Sequence, residues 1–378
     1  MTISRKTGNE VTRRSILALG AAATVSAVMP SAPRAENAPA KTAQAPLPKF
    51  QVTPDQIIGA RAGLRPFRPS GFVVRSEPFG DKTLIHNYGH GGCGITLSWG
   101  TADMAAKLAL ETPHRQAAVI GCGVIGLTTA RLLQDRGFTV TIYAAALPPY
   151  TTSDVAAGAF GVTNIVDDAH QTGETGNRVA EAARFAFRYF QSLPARYGVK
   201  PMDLYFIGPR PIDVPWDFAI TPDLFPFEKF GPDEHPFPNS YAVFTKTLIA
   251  ETNTLLPALM ADFREAGGRI ETRGFADRSE LQTLQTPLIV NATGIGAKAL
   301  FGDAELVPVK GQLTLLKPRA DIHYGYVDPV LDLYMFPRSD ALVLGGSHGH
   351  DDWSLEPDPE RAAQILDGHG LIANGMKG

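Results

Sequence analysis

The sequence predicts an α/β protein in two parts: one built on a parallel sheet, and an α+β region with a mainly antiparallel sheet. Three observations carry this. A glycine turn, Gly121-Cys122-Gly123-Val124-Ile125-Gly126, stands between an apolar run and a helical pattern. A second apolar run, Leu288-Ile289-Val290, ends in the polar-glycine turn Asn291-Ala292-Thr293-Gly294. Between them lies a Pro-, Phe- and Asp-rich stretch, 209–238, that reads as strands and loops of a second region.

The N-terminus reads as a targeting segment. Arg13 and Arg14 are followed by a modest apolar region, 16–28, too short to span a bilayer and rich in Ala and Gly. This is the pattern of a twin-arginine signal, with cleavage expected near Ala35 or after Ala38-Pro39-Ala40, so the mature protein is expected in the periplasm or outside the cell. Residues 1–40 are assigned to signal and linker. A formal net charge of −3 over 378 residues argues against a nucleic-acid or membrane-surface partner. The two cysteines, Cys93 and Cys122, lack metal-ligand spacing and read as buried thiols rather than a disulfide.

The next feature is a glycine-dense loop, His86-Asn87-Tyr88-Gly89-His90-Gly91-Gly92-Cys93-Gly94, followed by a helix over 95–108. Such a loop lets a flat ligand approach the backbone, and the helix start offers free N–H groups and a positive dipole end. Ala117 to Ile120 is a buried strand. Gly121, Gly123 and Gly126 then fit G-x-G-x-x-G, the helix 124–135 repeats Val124, Leu127, Ala130 and Leu133, and Gly137 stops it. The next strand is 139–143. Strand, glycine turn, helix and strand together form a Rossmann-like dinucleotide fingerprint. One element is missing: the strand ends Tyr143-Ala144-Ala145-Ala146, where an acid normally holds the adenosine ribose.

Thr151-Thr152-Ser153-Asp154-Val155-Ala156-Ala157-Gly158 is a hydroxyl-rich loop that either contacts the cofactor or caps a helix at Thr152 or Ser153. An amphipathic helix is predicted over 177–192, a long helix over 245–266, and a strand over 269–273. Strands of the second region are expected at 313–316 and 334–336, one more strand at 342–346, and a final helix over 359–366. The dinucleotide-binding domain is drawn as 51–168 with 240–300 and 342–378, and the substrate domain as 169–239 with 301–341.

These residues resemble the flavin-dependent D-amino-acid oxidase family. The similar segments are the fingerprint from Val119 to Leu127, the 151–158 loop, 290–294, Lys310-Gly311-Gln312, Leu344-Gly345-Gly346, Gly63-Leu64-Arg65-Pro66-Phe67-Arg68-Pro69 and the 86–94 loop. In the family the Arg-Pro and His-Asn-Tyr-Gly-His segments close the chain. Here they precede the fingerprint, which is the order of a circular permutation and predicts that 51–60 packs near the segment after Pro359.

The resemblance implies FAD held by Gly121, Gly123, Val124, Ile125 and Gly126, by Thr151, Thr152, Ser153, Ala157 and Gly158, by Thr293, and by Gly91, Gly92, Cys93, Gly94, Ile95 and Thr96. It implies a D-amino-acid substrate, molecular oxygen as oxidant, and a 2-oxo acid, ammonia and hydrogen peroxide as products, with hydride passing from the substrate Cα to the flavin. No side chain is expected to act as acid or base. Arg65 matches the arginine that clamps the substrate carboxylate. Tyr334 matches a carboxylate-contacting tyrosine, or else is a core aromatic, and the Gly92 carbonyl faces the substrate amine. Arg68, His86 and His90 read as structural. The family's second tyrosine falls near Val330 and is absent. An oxidase of another amine (glycine, an N-methyl or an imino acid), an NAD-dependent dehydrogenase and a non-catalytic flavin binder are the competing readings.

Overall fold

Strand type separates the two halves of the molecule. The computed structural model describes residues 46–238 and 241–377, all within one compact unit, 42–378; the twin-arginine segment lies outside the described residues. In chain order the strands are β1 (Ile57–Phe67), β2 (Val73–Phe79), β3 (Lys82–Tyr88), β4 (Gln116–Ile120), β5 (Thr139–Ala144), β6 (Val199–Gly208), β7 (Glu228–Phe230), β8 (Tyr241–Ala250), β9 (Arg269–Thr272), β10 (Leu288–Asn291), β11 (Val307–Leu316), β12 (Tyr324–Asp328), β13 (Leu333–Pro337), β14 (Leu342–Gly345) and β15 (Gly349–His350). The helices are α1 (Gly94–Leu110), α2 (Val124–Asp135), α3 (Thr152–Val155), α4 (Gly173–Ser192), α5 (Trp216–Ala219), α6 (Thr252–Glu265), α7 (Ala297–Phe301) and α8 (Pro359–Gly375).

Among the described residues, six strands form one sheet in the order β2-β3-β10-β4-β5-β9. β3, β10, β4, β5 and β9 run parallel, and β2 joins antiparallel at the edge. β10 and the last four residues of β4 are buried on both faces, which is why they read as unbroken apolar runs. α1 and α2 cover one face with Trp99, Ala102, Leu127, Ala130 and Leu133, in the same core cluster as Val119 and Val290. Gly137, at φ 83°, ends α2 with paired bonds from its own N–H to Gln134 and from Phe138 to Leu133. Gly100 lets α1 pack directly on the α4 backbone at Ala182.

The second sheet runs β1-β11-β14-β13-β12-β6-β8-β7, with β15 on β11. It is antiparallel except for the β12–β6 pair. The α/β expectation with a second, mainly antiparallel sheet therefore holds.

Several element expectations are corrected. Residues 245–250 belong to strand β8, not to a helix: Val243, Thr245, Thr247 and Ile249 form a β-branched alternation paired with β6, and the helix starts only at Thr252. α4 begins four residues early because Thr172 caps it, accepting from the Thr175 N–H at 3.2 Å. α8 continues past Leu366 through Gly368 and Gly370; Gly368 is tolerated because a side chain there would strike Leu333 of β13. β1 and β14, drawn from sequence with the parallel sheet, are paired inside the antiparallel one.

Candidate functional site

A cavity of about 810 Å3 is lined by residues of both sheets. Its floor is the pair of turns that follow β4 and β10, at the carboxyl ends of the parallel strands. Gly121 has φ 116°, and a Cβ there would strike the Ala292 carbonyl, so the turn needs glycine. Gly123 is the N-cap of α2, and the Val124 N–H donates to the Ser153 hydroxyl at 3.0 Å. Of the residues expected at the cofactor, Gly121, Gly123, Val124, Ile125, Thr151, Thr152, Ser153, Ala157, Gly158 and Thr293 line the cavity. Gly126 does not: it is a packing glycine whose Cβ would collide with the Gly121 carbonyl. The 151–158 loop also caps a helix, but from Thr151, whose backbone N–H and hydroxyl both donate to Asp154 at 2.9 and 2.7 Å.

The second glycine loop forms the opposite wall. Gly91 (φ 54°) lies against the Asn164 carbonyl, and Gly92 donates its N–H to that carbonyl at 3.3 Å. Gly91, Gly92, Gly94, Ile95 and Thr96 line the cavity. Gly94 opens α1 with no protein atom within 4 Å of a Cβ built on it, so the helix start faces space. Thr96 reaches the wall with its hydroxyl already bonded to Gly161. Cys93, also expected at the cofactor, is buried behind the loop, its thiol donating to the Thr163 carbonyl at 2.6 Å, and is not on the wall. Both cysteines are free and buried, and Cys122 does reach the cavity.

The histidines behave as loop structure. His90 bonds Thr101 at 2.9 Å, stacks on Phe72, and is pushed down to about 3 by burial, which keeps the ring neutral. His86 meets the Asn291 amide at 3.0 Å. Arg68 pairs with Asp303 at 2.8 Å and with Glu305.

At the other end of the cavity the structure brings Arg65 and Tyr334 together. They come from strands separated by two others, yet Arg65 Nη2 lies 3.4 Å from the Tyr334 hydroxyl, and Nη1 donates to the Ser347 carbonyl at 2.9 Å. Two glycines make this possible. A Cβ on Gly311 would sit 2.6 Å from the Arg65 Cζ, and one on Gly345 would overlap the Tyr334 ring. Gly311 and Gly345 thus leave a flat platform on which the guanidinium and the phenol lie side by side, facing the cavity. Burial raises the Tyr334 pKa above the usual phenol range, and the Arg65 charge opposes that rise.

Sequence reasoning missed four residues here. Asn164 (φ 53°) bonds His348 at 3.1 Å, and His348 bonds Asp332 at 3.0 Å. Asp217 accepts the Asn164 N–H at 3.2 Å and is pushed up to about 6 by burial. All four line the cavity. Asn164, Asp332 and His348 sit in loops and Asp217 in the first turn of α5, none within a motif; the left-handed backbone of Asn164 and Asp332 is a local signal that is invisible without coordinates.

The residues fit a dinucleotide cofactor. Gly94 and Gly294 face open space that a side chain would fill, and the buried Asn87 Oδ1 on the cavity wall has no hydrogen-bond partner within the protein. The volume lies in the upper part of the roughly 300–1,000 Å3 range of small-molecule and cofactor sites. Fold and site together define a dinucleotide-dependent α/β oxidoreductase. The chain belongs to the DAO family of FAD dependent oxidoreductases, which it matches over residues 12–108 and 116–368. FAD is its cofactor.

Among relatives, the chain is 32% identical over 262 residues to the D-amino-acid oxidase of Streptomyces coelicolor, covering 66% of this chain and 75% of that one. It is 26% identical over 270 residues to the D-amino acid oxidase of Dugesia ryukyuensis, covering 69% and 78%. It is 30% identical over 272 residues to the D-aspartate oxidase of Homo sapiens, covering 66% and 73%. In shape it is similar to the glycine oxidase of Geobacillus kaustophilus, at TM-score 0.53 and 15% identity over 70% of this chain and 80% of that one. It is also similar to the iminodiacetate oxidase of Chelativorans, at TM-score 0.51 and 16% identity over 68% and 79%.

Proposed function

We propose that this enzyme carries out FAD-dependent oxidative deamination of D-amino acids, yielding a 2-oxo acid, ammonia and hydrogen peroxide. The observation that carries the reading is the Arg65–Tyr334 pair on its two-glycine platform, facing the same cavity as Gly92. A planar fork with a neighbouring phenol binds a carboxylate bidentately, and the Gly92 carbonyl accepts from the amine. Bound FAD supplies the hydride acceptor, and molecular oxygen is the final oxidant. The protein contributes orientation and exclusion of water, for which no acid or base side chain is needed. The D-amino-acid oxidase names of the Streptomyces and Dugesia relatives support the substrate class.

The test is the visible spectrum of the purified holoprotein under anaerobic conditions. Bleaching by D- but not L-amino acids is the expected result; flavin bands untouched by both would overturn it. One observation favours a second reading, oxidation of glycine or an N-substituted amino acid: Val330, at the position of the family's second tyrosine, is 67% exposed and off the cavity wall. Bleaching by those amines alone would select it.

We also propose export through the twin-arginine pathway, after folding and loading with FAD. The segment order is read as a circular permutation. Support comes from one cluster that holds Phe50 with Ile365 and Ile372, against which Val52 and Ile57 pack, and from the Tyr324 hydroxyl, which donates to the Pro48 carbonyl at 2.8 Å. A gene that moves residues 46–115 behind residue 377 is expected to give a folded, yellow protein.

A further inference from the structure

The fingerprint of this chain lacks its ribose-binding acid, and the structure shows what stands there. β5 ends on the cavity wall at Ala144; Ala145 and Ala146 follow on the same wall, and the segment after β9, Arg273-Gly274-Phe275, packs against the end of the strand. The Arg273 N–H donates to the Ala144 carbonyl at 2.9 Å. A Cβ on Gly274 would lie 3.5 Å from that of Ala145, so two small residues bring the strands together. The Arg273 guanidinium lies 4.7 Å over the Phe275 ring, and Phe275 meets Tyr143 edge-on at 6.1 Å.

The carboxylates on the cavity wall, Asp217, Asp328 and Asp332, come from elements of the antiparallel half. Among the described lining residues, Arg273 is the one charged group beside the three alanines. Glu271 pairs with Tyr143 in the sheet but is not on the wall. Arg273 is exposed, and one of its five N–H donors makes a long 3.4 Å contact to Thr283.

We propose that Arg273 holds the adenosine ribose of FAD, donating to the hydroxyl oxygens where a carboxylate would accept from them, and that this end of the cavity consequently accepts adenosine bearing a 2′-phosphate. A carboxylate at this place repels a phosphate, whereas a guanidinium fork pairs with it. The inversion of charge follows from Ala145 and Arg273 together: no acid follows β5, and the cation stands at the exit of the neighbouring strand, on the same cavity wall. The proposal rests on the FAD assignment alone, so it stands or falls independently of the substrate.

The test uses the full chain stripped of FAD. Rebinding of FAD, followed by quenching of its fluorescence, is competed with adenosine 5′-monophosphate or adenosine 2′,5′-bisphosphate. The two probes differ only in the 2′-phosphate. In the wild type the bisphosphate is expected to compete about ten-fold better, the factor that one charge-assisted bond supplies. In Arg273→Gln the advantage disappears and FAD binds about ten-fold more weakly. Ala145→Glu reverses the order of the two probes. Equal competition in the wild type, or an advantage that survives in Arg273→Gln, overturns the proposal. On the holoprotein, the temperature at which FAD is released reports the same ranking: Arg273→Gln is expected to release it earlier than the wild type, and unchanged release in that variant counts against the assignment.

Discussion

The two ends of the cavity are built in opposite ways. The cofactor end is made of main chain: the turns at Gly121 and Gly91 and the helix starts at Val124 and Gly94 come from short contiguous stretches. The proposed substrate end is made of side chains from β1, β13 and α5 and from the loops of Asn164 and His348, hundreds of residues apart in places. A main-chain site writes itself into local sequence, because the positive φ of Gly121 and Gly91 and the close approach of a ligand to bare backbone both favour glycine within a short stretch. A side-chain site is written in the pairing of distant strands.

The largest predicted effect tests the main-chain end. Gly121→Val forces a branched side chain onto φ 116° and into the Ala292 carbonyl, and the variant is expected to purify colourless or not fold. Gly94→Ala separates cradle from fold. Its φ is −54°, and no protein atom lies within 4 Å of the new methyl, so the protein should fold with unchanged thermal stability while binding FAD more weakly. FAD affinity equal to wild type would mean that the cofactor does not lie against the start of α1.

The next effect belongs to the side-chain end. Arg65→Ala is expected to keep FAD and lose roughly 10²–10³-fold in kcat/KM, the size of truncating one partner of a close charge pair. Arg65→Lys should recover only part of it, since an ammonium cannot fork. Tyr334→Phe removes one hydroxyl and should lower kcat/KM about ten-fold, mostly through KM. Steady-state kinetics beside the flavin spectrum separate the two ends: a variant that turns colourless has failed at the cradle, not at the clamp.

The same contrast explains what was legible in the sequence. α2, β4 and β10 are readable because a parallel strand buried on both faces and the helix that covers it leave unmistakable apolar patterns, and β5 because Val140, Ile142 and Ala144 alternate with more exposed residues. Arg65 and Tyr334 were named through family resemblance, not through any pattern of their own. Their supports, Gly311 and Gly345, stood inside two quoted segments, but why glycine was needed there appeared only when the sheet laid Arg65 across one and Tyr334 across the other. The helix expected over 245–266 runs into β8 because the strand's last residues, Thr245-Lys246-Thr247-Leu248-Ile249-Ala250, lead to a true helix without a proline or glycine between them. Asp217 carries no sequence signal at all: its importance comes from its burial and from the Asn164 N–H that it accepts.

Asp217 also yields the smallest prediction, one that needs no substrate. Burial raises its pKa from 3.8 to about 6; the Asn164 N–H pulls it down, and the Asp168 charge pushes it up. The native state therefore holds this proton more tightly than the unfolded chain does. Stability from this group is lost as pH rises from about 4 through 6, and the full penalty applies above that. Asparagine keeps the oxygen that accepts from Asn164 and removes the charge. Asp217→Asn should thus be more stable than the wild type at pH 8 by about 1–2 kcal/mol, less than the full shift implies because the group is partly exposed to water. The gain should vanish at pH 4. Thermal melts of the holoprotein at the two pH values measure it, and a variant less stable at both would make the carboxylate a structural bond acceptor. A gain confined to high pH would show that the side-chain end carries an uncompensated charge, a strain the main-chain end does not have, and one that a protein retains where it meets a ligand cation such as the ammonium of an amino acid.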